Sequence, residues 1–150
     1  MATNIVSLHR VLKAKPEKVY RAFTEAAAFL AWLPPYGYVA QIQQLDARVG
    51  GSYKMSFTNF STGSTQSFGG KYVEMQPNIL LKYTDVFDDP NLPGEMITTV
   101  SFKKVSIGTE LSITQEGISE AIPIELCYLG WQESLEKLKK LVEPEIRDGF

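Results

Sequence analysis

One cysteine and one histidine stand in a chain of 150 residues, and this scarcity removes several kinds of chemistry at once. A lone cysteine cannot build an internal disulfide framework, and neither residue is numerous enough for a multi-cysteine or multi-histidine metal site. A Ser-His-Asp or Cys-His centre would have to use His9, the sole imidazole. No GxxxxGK[ST] and no GxGxxG occurs, and the glycine pairs Gly50-Gly51 and Gly69-Gly70 fall at strand edges instead of opening helices, so no phosphate cradle is indicated. No metal, cofactor or catalytic residue is therefore expected. Apolar runs stay far short of the roughly 18 residues that a membrane span needs, so none is expected. Charge of one sign is also lacking: 15 Lys and Arg against 17 Asp and Glu give a net charge of -2, with no block of five like charges. That balance argues against a nucleic-acid or anionic-membrane surface. The opening MATNIVSLHRVLK alternates apolar and polar residues without a continuous apolar core, so it is not read as a signal peptide, and a soluble cytoplasmic protein is expected.

What remains is ordinary material for a folded core. Hydrophobic residues make up 44% and charged residues 21%. Size scaling gives roughly 7,600 Å² exposed when folded against roughly 24,000 Å² unfolded, enough burial for one domain over residues 1–150. Residues 3–13 read as a strand with Val6, Leu8, Arg10 and Leu12 on one face. Pro16 and Glu17 then suit the first turn of a helix, and a break at Thr24-Glu25 divides 16–33 into two short helices ending at Pro34-Pro35. Strands are expected near 38–47, 51–60, 66–76, 79–88, 95–104 and 109–117, separated by turn residues and by no helix, which predicts an antiparallel meander. Gly69-Gly70 inside one of them suggests a bulge. A final helix spans 123–142, with Tyr128, Trp131, Leu135, Leu138 and Val142 as an apolar stripe and Glu133–Lys137 and Glu136–Lys140 as i,i+4 pairs on the wet side. Glu145–Phe150 is expected to fray.

The expected chain is α+β, with a seven-stranded antiparallel sheet that needs one face covered. A helix of about 20 residues is about 30 Å long and can lie across a curved sheet, leaving a cavity unless large side chains fill it.

Several segments resemble a known family. They are Arg10; Ala14-Lys15-Pro16-Glu17-Lys18-Val19-Tyr20-Arg21-Ala22-Phe23-Thr24; Trp32; Asp46-Ala47-Arg48-Val49-Gly50-Gly51-Ser52-Tyr53; Gly70-Lys71-Tyr72-Val73-Glu74; Thr109 to Ile113 with Gln115-Glu116-Gly117; and Gly130-Trp131-Gln132-Glu133-Ser134-Leu135-Glu136-Lys137-Leu138. In order and spacing, over residues 3–142, they resemble the START-like or Bet v-like (SRPBCC) superfamily. More narrowly they resemble bacterial proteins related to the C-terminal domain of the activator of the ninety-kilodalton heat-shock protein ATPase. The resemblance implies a helix-grip fold. Members of that superfamily bind lipids, hormones or polyketides, act as aromatase-cyclases or dehalogenase-like enzymes, or contact a chaperone.

The large residues expected near the space between sheet and helix are Trp32, Tyr53, Met55, Phe57, Tyr72, Tyr83, Phe87, Tyr128 and Trp131. They suit the lining of an apolar pocket; the ordinary alternative is core packing. His9 reads as an outward strand residue, and Cys127 as a small buried apolar side chain rather than a nucleophile. Arg10 shares the inward face and is expected to pair with Asp46 or Glu74, or to anchor an anionic ligand. Asp46 itself reads as a turn residue, and Glu74, Asp85 and Glu116 could meet as acid–base partners if register allowed.

Three functions compete on these residues. The leading expectation is non-catalytic binding of a small apolar or amphipathic molecule between the sheet and the last helix. The second is a protein-interaction module, regulating a chaperone or forming a homodimer. The third is a cyclase-, hydrolase- or lyase-type enzyme using the same cavity, which would need a buried ionisable pair there. An open pocket favours the first, and a filled interior with an external apolar patch favours the second.

Overall fold

The computed structural model describes residues 4–149, so Thr3 of the expected first strand and Phe150 of the expected frayed tail lie outside the described residues. The element order is β1 (Val6–Leu12), α1 (Pro16–Thr24), α2 (Ala26–Trp32), β2 (Tyr38–Leu45), β3 (Ser52–Asn59), β4 (Thr65–Gln76), β5 (Leu80–Phe87), β6 (Met96–Val105), β7 (Gly108–Glu116) and α3 (Ile124–Val142). The strands form one seven-stranded antiparallel sheet in the order β1-β7-β6-β5-β4-β3-β2. From β2 to β7 the sheet is a meander, and the one non-local pairing brings β1 alongside β7, Val6 opposite Gln115 and Leu12 opposite Thr109. The curled sheet and its helices make an α+β, helix-grip-like half-barrel.

Local chemistry explains these boundaries. Pro16 occupies the first helical turn of α1, where its missing N–H costs nothing, and Glu17 faces the positive end of the helix. Glu25 leaves the helical region (φ -96°, ψ 127°), which separates α1 from α2 at the position expected from sequence. Burial alternates strictly along most of β6 and β7, as it must when one face of an antiparallel sheet packs and the other is wet.

The core fills the concave side. Trp32 is fully buried, donates its indole N–H to the Ala22 carbonyl at 2.7 Å, and stacks edge-to-face on Phe23 and Phe29. This aromatic knot fixes α2 on α1. On α3, Trp131, Leu135, Leu138 and Val142 are buried, but Tyr128 is 40% exposed, so the expected stripe begins one turn later than the spacing suggested. Ser134 takes the extra place on the buried face.

Of the two acidic-basic pairs expected on α3, Glu133–Lys137 is drawn apart, and no Glu136–Lys140 ion pair forms among the described residues. Glu133 accepts from the Tyr36 N–H at 3.1 Å, and Lys137 donates to the Pro34 carbonyl at 2.8 Å. Together with Ser134 Oγ donating to the Leu33 carbonyl at 2.5 Å, they pin the loop after α2 onto α3. Orphan backbone groups at the end of α2 drew those side chains away from each other.

The Gly69-Gly70 pair does not mark the bulge. Pairing of β3 with β4 runs unbroken through both glycines, and the register of β4 against β5 shifts instead between Tyr72 and Glu74. The glycines answer a steric demand: a Cβ on Gly70 would lie 1.8 Å from the Thr84 carbonyl oxygen, and one on Gly69 would lie 2.5 Å from that of Tyr53. The sheet bends there so sharply that only glycine fits.

Candidate ligand-binding site

A cavity of about 420 Å³ lies between the concave face of the sheet and the N-terminal half of α3. This is within the range of roughly 300–1,000 Å³ typical of small-molecule sites. β3 contributes Tyr53 and Phe57, β4 contributes Phe68, β5 contributes Tyr83, Asp85 and Phe87, and β6 contributes Met96. Period-2 geometry places the β5 trio on one face, and the antiparallel register sets Phe68 opposite Phe87. Phe57, Phe68 and Phe87 form a chain of edge contacts, with centroids 4.8 and 6.0 Å apart. The helical wall is Trp131, Cys127 and Ser134, and the pinned loop supplies Leu33 and Pro35 at the rim. Ser64, Gln66 and Leu126 line the site and are exposed, so the cavity opens to solvent.

The sequence-derived candidates divide clearly. Tyr53, Phe57, Tyr83, Phe87 and Trp131 line the cavity. Trp32 belongs to the aromatic knot beneath α2 instead, and Met55 and Tyr72 are closed off in the core, the Tyr72 phenol donating to the Phe23 carbonyl at 3.4 Å. Tyr128 points to solvent. Gly130 lines the cavity too, and its neighbour is Pro35, whose Cγ would sit 3.6 Å from an added Cβ; neither a strand nor Trp32 comes within 4 Å of that position.

A polar seam crosses the apolar walls. Gln115 Oε1 accepts from the indole N–H of Trp131 at 3.1 Å and from the Cys127 thiol at 3.3 Å, while Gln115 Nε2 donates to Thr98 Oγ1 at 3.0 Å. Every polar atom of this buried amide side chain is thus engaged, and the indole is held in place. Burial pushes the Cys127 thiol up to about 11, so it stays protonated and a poor nucleophile, in line with its reading from sequence.

Across the cavity the Tyr53 hydroxyl lies against both the Asp85 carboxyl and the Thr84 carbonyl, the latter at 2.8 Å. One hydroxyl proton can serve only one acceptor at a time. With Asp85 ionised, Tyr53 donates to the carboxylate; with Asp85 protonated, the acid can donate to the phenol oxygen while the phenol donates to Thr84. Burial raises the Asp85 carboxyl to about 7 despite the opposing hydrogen bond from Tyr53. Both Tyr53 and Tyr83 are raised well above the ordinary phenol value, chiefly by burial and then by the neighbouring Asp85. Asp85 is therefore the group here that changes charge near neutrality. From sequence Asp85 is weighed as an acid–base partner of Glu74 and Glu116 and is not counted among the lining.

The other charged candidates lie elsewhere. Glu74 accepts from Gln76 at 2.7 Å, so it and Glu116 do not join Asp85. Arg10 donates to the carbonyl of its neighbour His9 at 2.9 Å, and Asp46 pairs with Arg48 at 2.8 Å, so the Arg10–Asp46 and Arg10–Glu74 pairings do not form. β1 is at the opposite sheet edge from β2, which Asp46 follows, and three strands separate it from β4, which carries Glu74, so the three are kept apart. His9 faces outward and meets Glu110 at 2.7 Å on the wet side of β1 and β7. Among the described residues no group of three or more His, Cys, Asp or Glu is arranged to hold a metal ion. No helix is long and apolar enough to cross a membrane among those residues.

Comparison with known families matches the model for Activator of Hsp90 ATPase homolog 1-like protein over residues 13–143. The chain belongs to that family. Its fold is that of the SRPBCC or Bet v-like superfamily. Among solved structures, a protein from Chromobacterium violaceum is 55% identical, covering 95% of this chain and 99% of its own, with a TM-score of 0.94. The AHSA1 protein of Silicibacter pomeroyi has a TM-score of 0.79 at 19% identity, with 91% of this chain and 95% of that one covered. An AHSA1-like protein from Aeromonas hydrophila has a TM-score of 0.74 at 18% identity, covering 91% and 90%. The last two are evidence of the shared fold alone. Comparison with curated proteins finds no match at the threshold applied. In this chain the polar seam is built partly from the late segments noted in the sequence: Gln115 precedes Glu116-Gly117, and Trp131 follows Gly130.

Proposed function

We propose that this protein binds a small hydrophobic or amphipathic molecule, without transforming it, in the cavity between the sheet and α3. The observation that supports this is the cavity itself: about 420 Å³, open to solvent, walled by Phe57, Phe68, Phe87, Met96 and Trp131, with a few buried polar groups among them. Such a site holds its ligand mainly by burying apolar area, at about 25 cal/mol per Å². Catalysis is the weaker reading. The one ionisable pair in the cavity is Tyr53–Asp85, and the nearest thiol is Cys127, held protonated and bonded to Gln115. The test is titration with the neutral fluorophore N-phenyl-1-naphthylamine. It should bind with micromolar affinity and quench Trp131, and Phe57→Trp should weaken it while the fold persists. Native mass spectrometry of the purified protein checks for a co-purified molecule. Absence of both probe binding and any extracted ligand overturns the proposal.

A second reading, an interaction module, draws on one patch. Phe60 is 80% exposed and bonds through its N–H to the Gly37 carbonyl, which sets it beside the exposed Tyr36 and Tyr38 at the free edge strand β2. Sedimentation analysis of the wild type and of Phe60→Ser separates this reading from the first, since self-association through the patch would be lost in the variant.

A further inference from the structure

Ligand binding in the cavity leaves open which chemistry the site prefers, and its charge content narrows this. The lining holds one carboxyl group, Asp85, and no Lys, Arg or His. Its remaining ionisable side chains are Tyr38 at the rim, Tyr53, Tyr83 and Cys127. A ligand carboxylate or phosphate would enter a low-dielectric space with no cation to meet it and with Asp85 as a like charge. A neutral ligand would gain area burial alone. An ammonium gains a charge-assisted hydrogen bond to Asp85 and stands among aromatic rings, whose faces attract cations.

We infer that the cavity selects an aromatic or elongated apolar molecule bearing one protonated amine, the ammonium pairing with Asp85 between Tyr53 and Tyr83 and the apolar body lying along Phe57, Phe87 and Trp131. This inference rests on the ligand-binding reading above. Two features of the geometry fit it. Among the described residues the Asp85 carboxyl has one hydrogen-bond partner, the Tyr53 hydroxyl, at Oδ1, which leaves acceptor capacity in the cavity lining. Tyr53 is itself anchored at Thr84, so the carboxyl is held in place before any ligand arrives.

The inference has a pH signature. The groups that face Asp85 are Tyr53 from β3, Tyr83 on β5, with Tyr72 of β4 behind it, and across the cavity Cys127 of α3. β6 brings Met96 and Thr98, and β7 brings Gln115, none of them charged. Tyr53, Tyr72, Tyr83 and the Cys127 thiol are raised above their ordinary values and stay neutral below pH 8. Asp85, raised to about 7, is the group that gains its charge in that range. An amine should therefore bind more tightly as pH rises from 5.5 to 8 and release protons at neutrality.

The experiment is calorimetric titration of the full chain with three probes of one shape: 2-naphthylmethylamine, 2-naphthylmethanol and 2-naphthoate. The amine should bind about ten- to a hundredfold more tightly than the alcohol at pH 8, the span expected of a hydrogen bond to a charged group, and the naphthoate more weakly than either. Asp85→Asn should erase the amine preference, bringing amine and alcohol affinities within about twofold of each other. If that variant fails to fold, the wild type still decides, since amine affinity should fall more than tenfold between pH 8 and 5.5 while alcohol affinity stays level. Alcohol or naphthoate binding as tightly as the amine overturns the charge selection and leaves ligand binding standing. Failure of all three probes and of N-phenyl-1-naphthylamine overturns both.

Discussion

The indole N–H of Trp131 lies 3.1 Å from Gln115 Oε1, and with the Cys127 thiol on the same oxygen that contact fastens the helical wall of the cavity to strand β7. It ties the motif around Gly130-Trp131 to the motif around Gln115, two segments 16 residues apart in sequence that meet only through the fold.

Trp131→Ala should cost about 3–5 kcal/mol, because the side chain is 8% exposed and its loss leaves a void beside the cavity. Gln115→Leu should cost about 1–3 kcal/mol by a different route, orphaning the indole N–H and the Cys127 thiol. Urea unfolding of both variants checks the values. A Trp131→Ala midpoint that hardly moves would mean the indole is not packed as described.

Gly130→Ala should stabilise the protein by about 1 kcal/mol, since glycine in mid-helix is that much worse than alanine and the new methyl would meet Pro35 Cγ at an ordinary 3.6 Å. The same methyl narrows the cavity rim. Raised thermal midpoint with weakened binding of a bulky probe is the expected pair of results.

Gly70→Ala should do the reverse and destabilise by several kcal/mol, because its Cβ would sit 1.8 Å from backbone oxygen of Thr84, an atom that cannot swing aside. Tyr53 is paired with Gly70 in the register and bonds to that same Thr84 carbonyl, so the bend and the placement of Tyr53 stand or fall together. Loss of folded protein on expression, or a large fall in urea midpoint, is the check.

These residues also show what was legible in the chain. Helices and strands were readable nearly to their ends because alternation and turn residues are local signals, as in β6 and β7. Parity placed Tyr83, Asp85 and Phe87 on one face, and they do line one cavity. Which aromatics face open space and which are sealed was not readable. Met55 shares parity with Tyr53 and Phe57, yet it is fully buried outside the lining, and that depends on where α2 and α3 lie over the sheet. Trp32 was misplaced for the same reason: its partners Phe23 and Phe29 are helix neighbours, and the indole satisfies itself on Ala22. The pairing of Glu133 and Lys137 failed because helical spacing describes an isolated helix, whereas here a loop with unsatisfied backbone groups lies within reach.

Asp85 gives the protein an inverted pH dependence over part of its range. Burial holds this carboxyl's proton until about pH 7, whereas in the unfolded chain it is released near the ordinary carboxylate value of 3.8. Between those values the folded state binds more protons than the unfolded one, so stability falls as pH rises through the interval and levels off above 7. The whole effect amounts to about 4 kcal/mol, and about 3 kcal/mol of it falls between pH 5 and pH 8. Exposed carboxylates such as Asp89 and Glu110 are held below their ordinary values by hydrogen bonds, so their opposite contribution falls at lower pH. Urea unfolding at pH 5 and pH 8 should therefore show the unliganded wild type more stable at pH 5, and Asp85→Asn nearly level across the same range. Tyr53→Phe should widen the difference, because it removes the hydrogen bond that favours the ionised acid. A wild type more stable at pH 8 than at pH 5, with Asp85→Asn behaving identically, would show that this carboxyl is already ionised and well solvated in the folded protein.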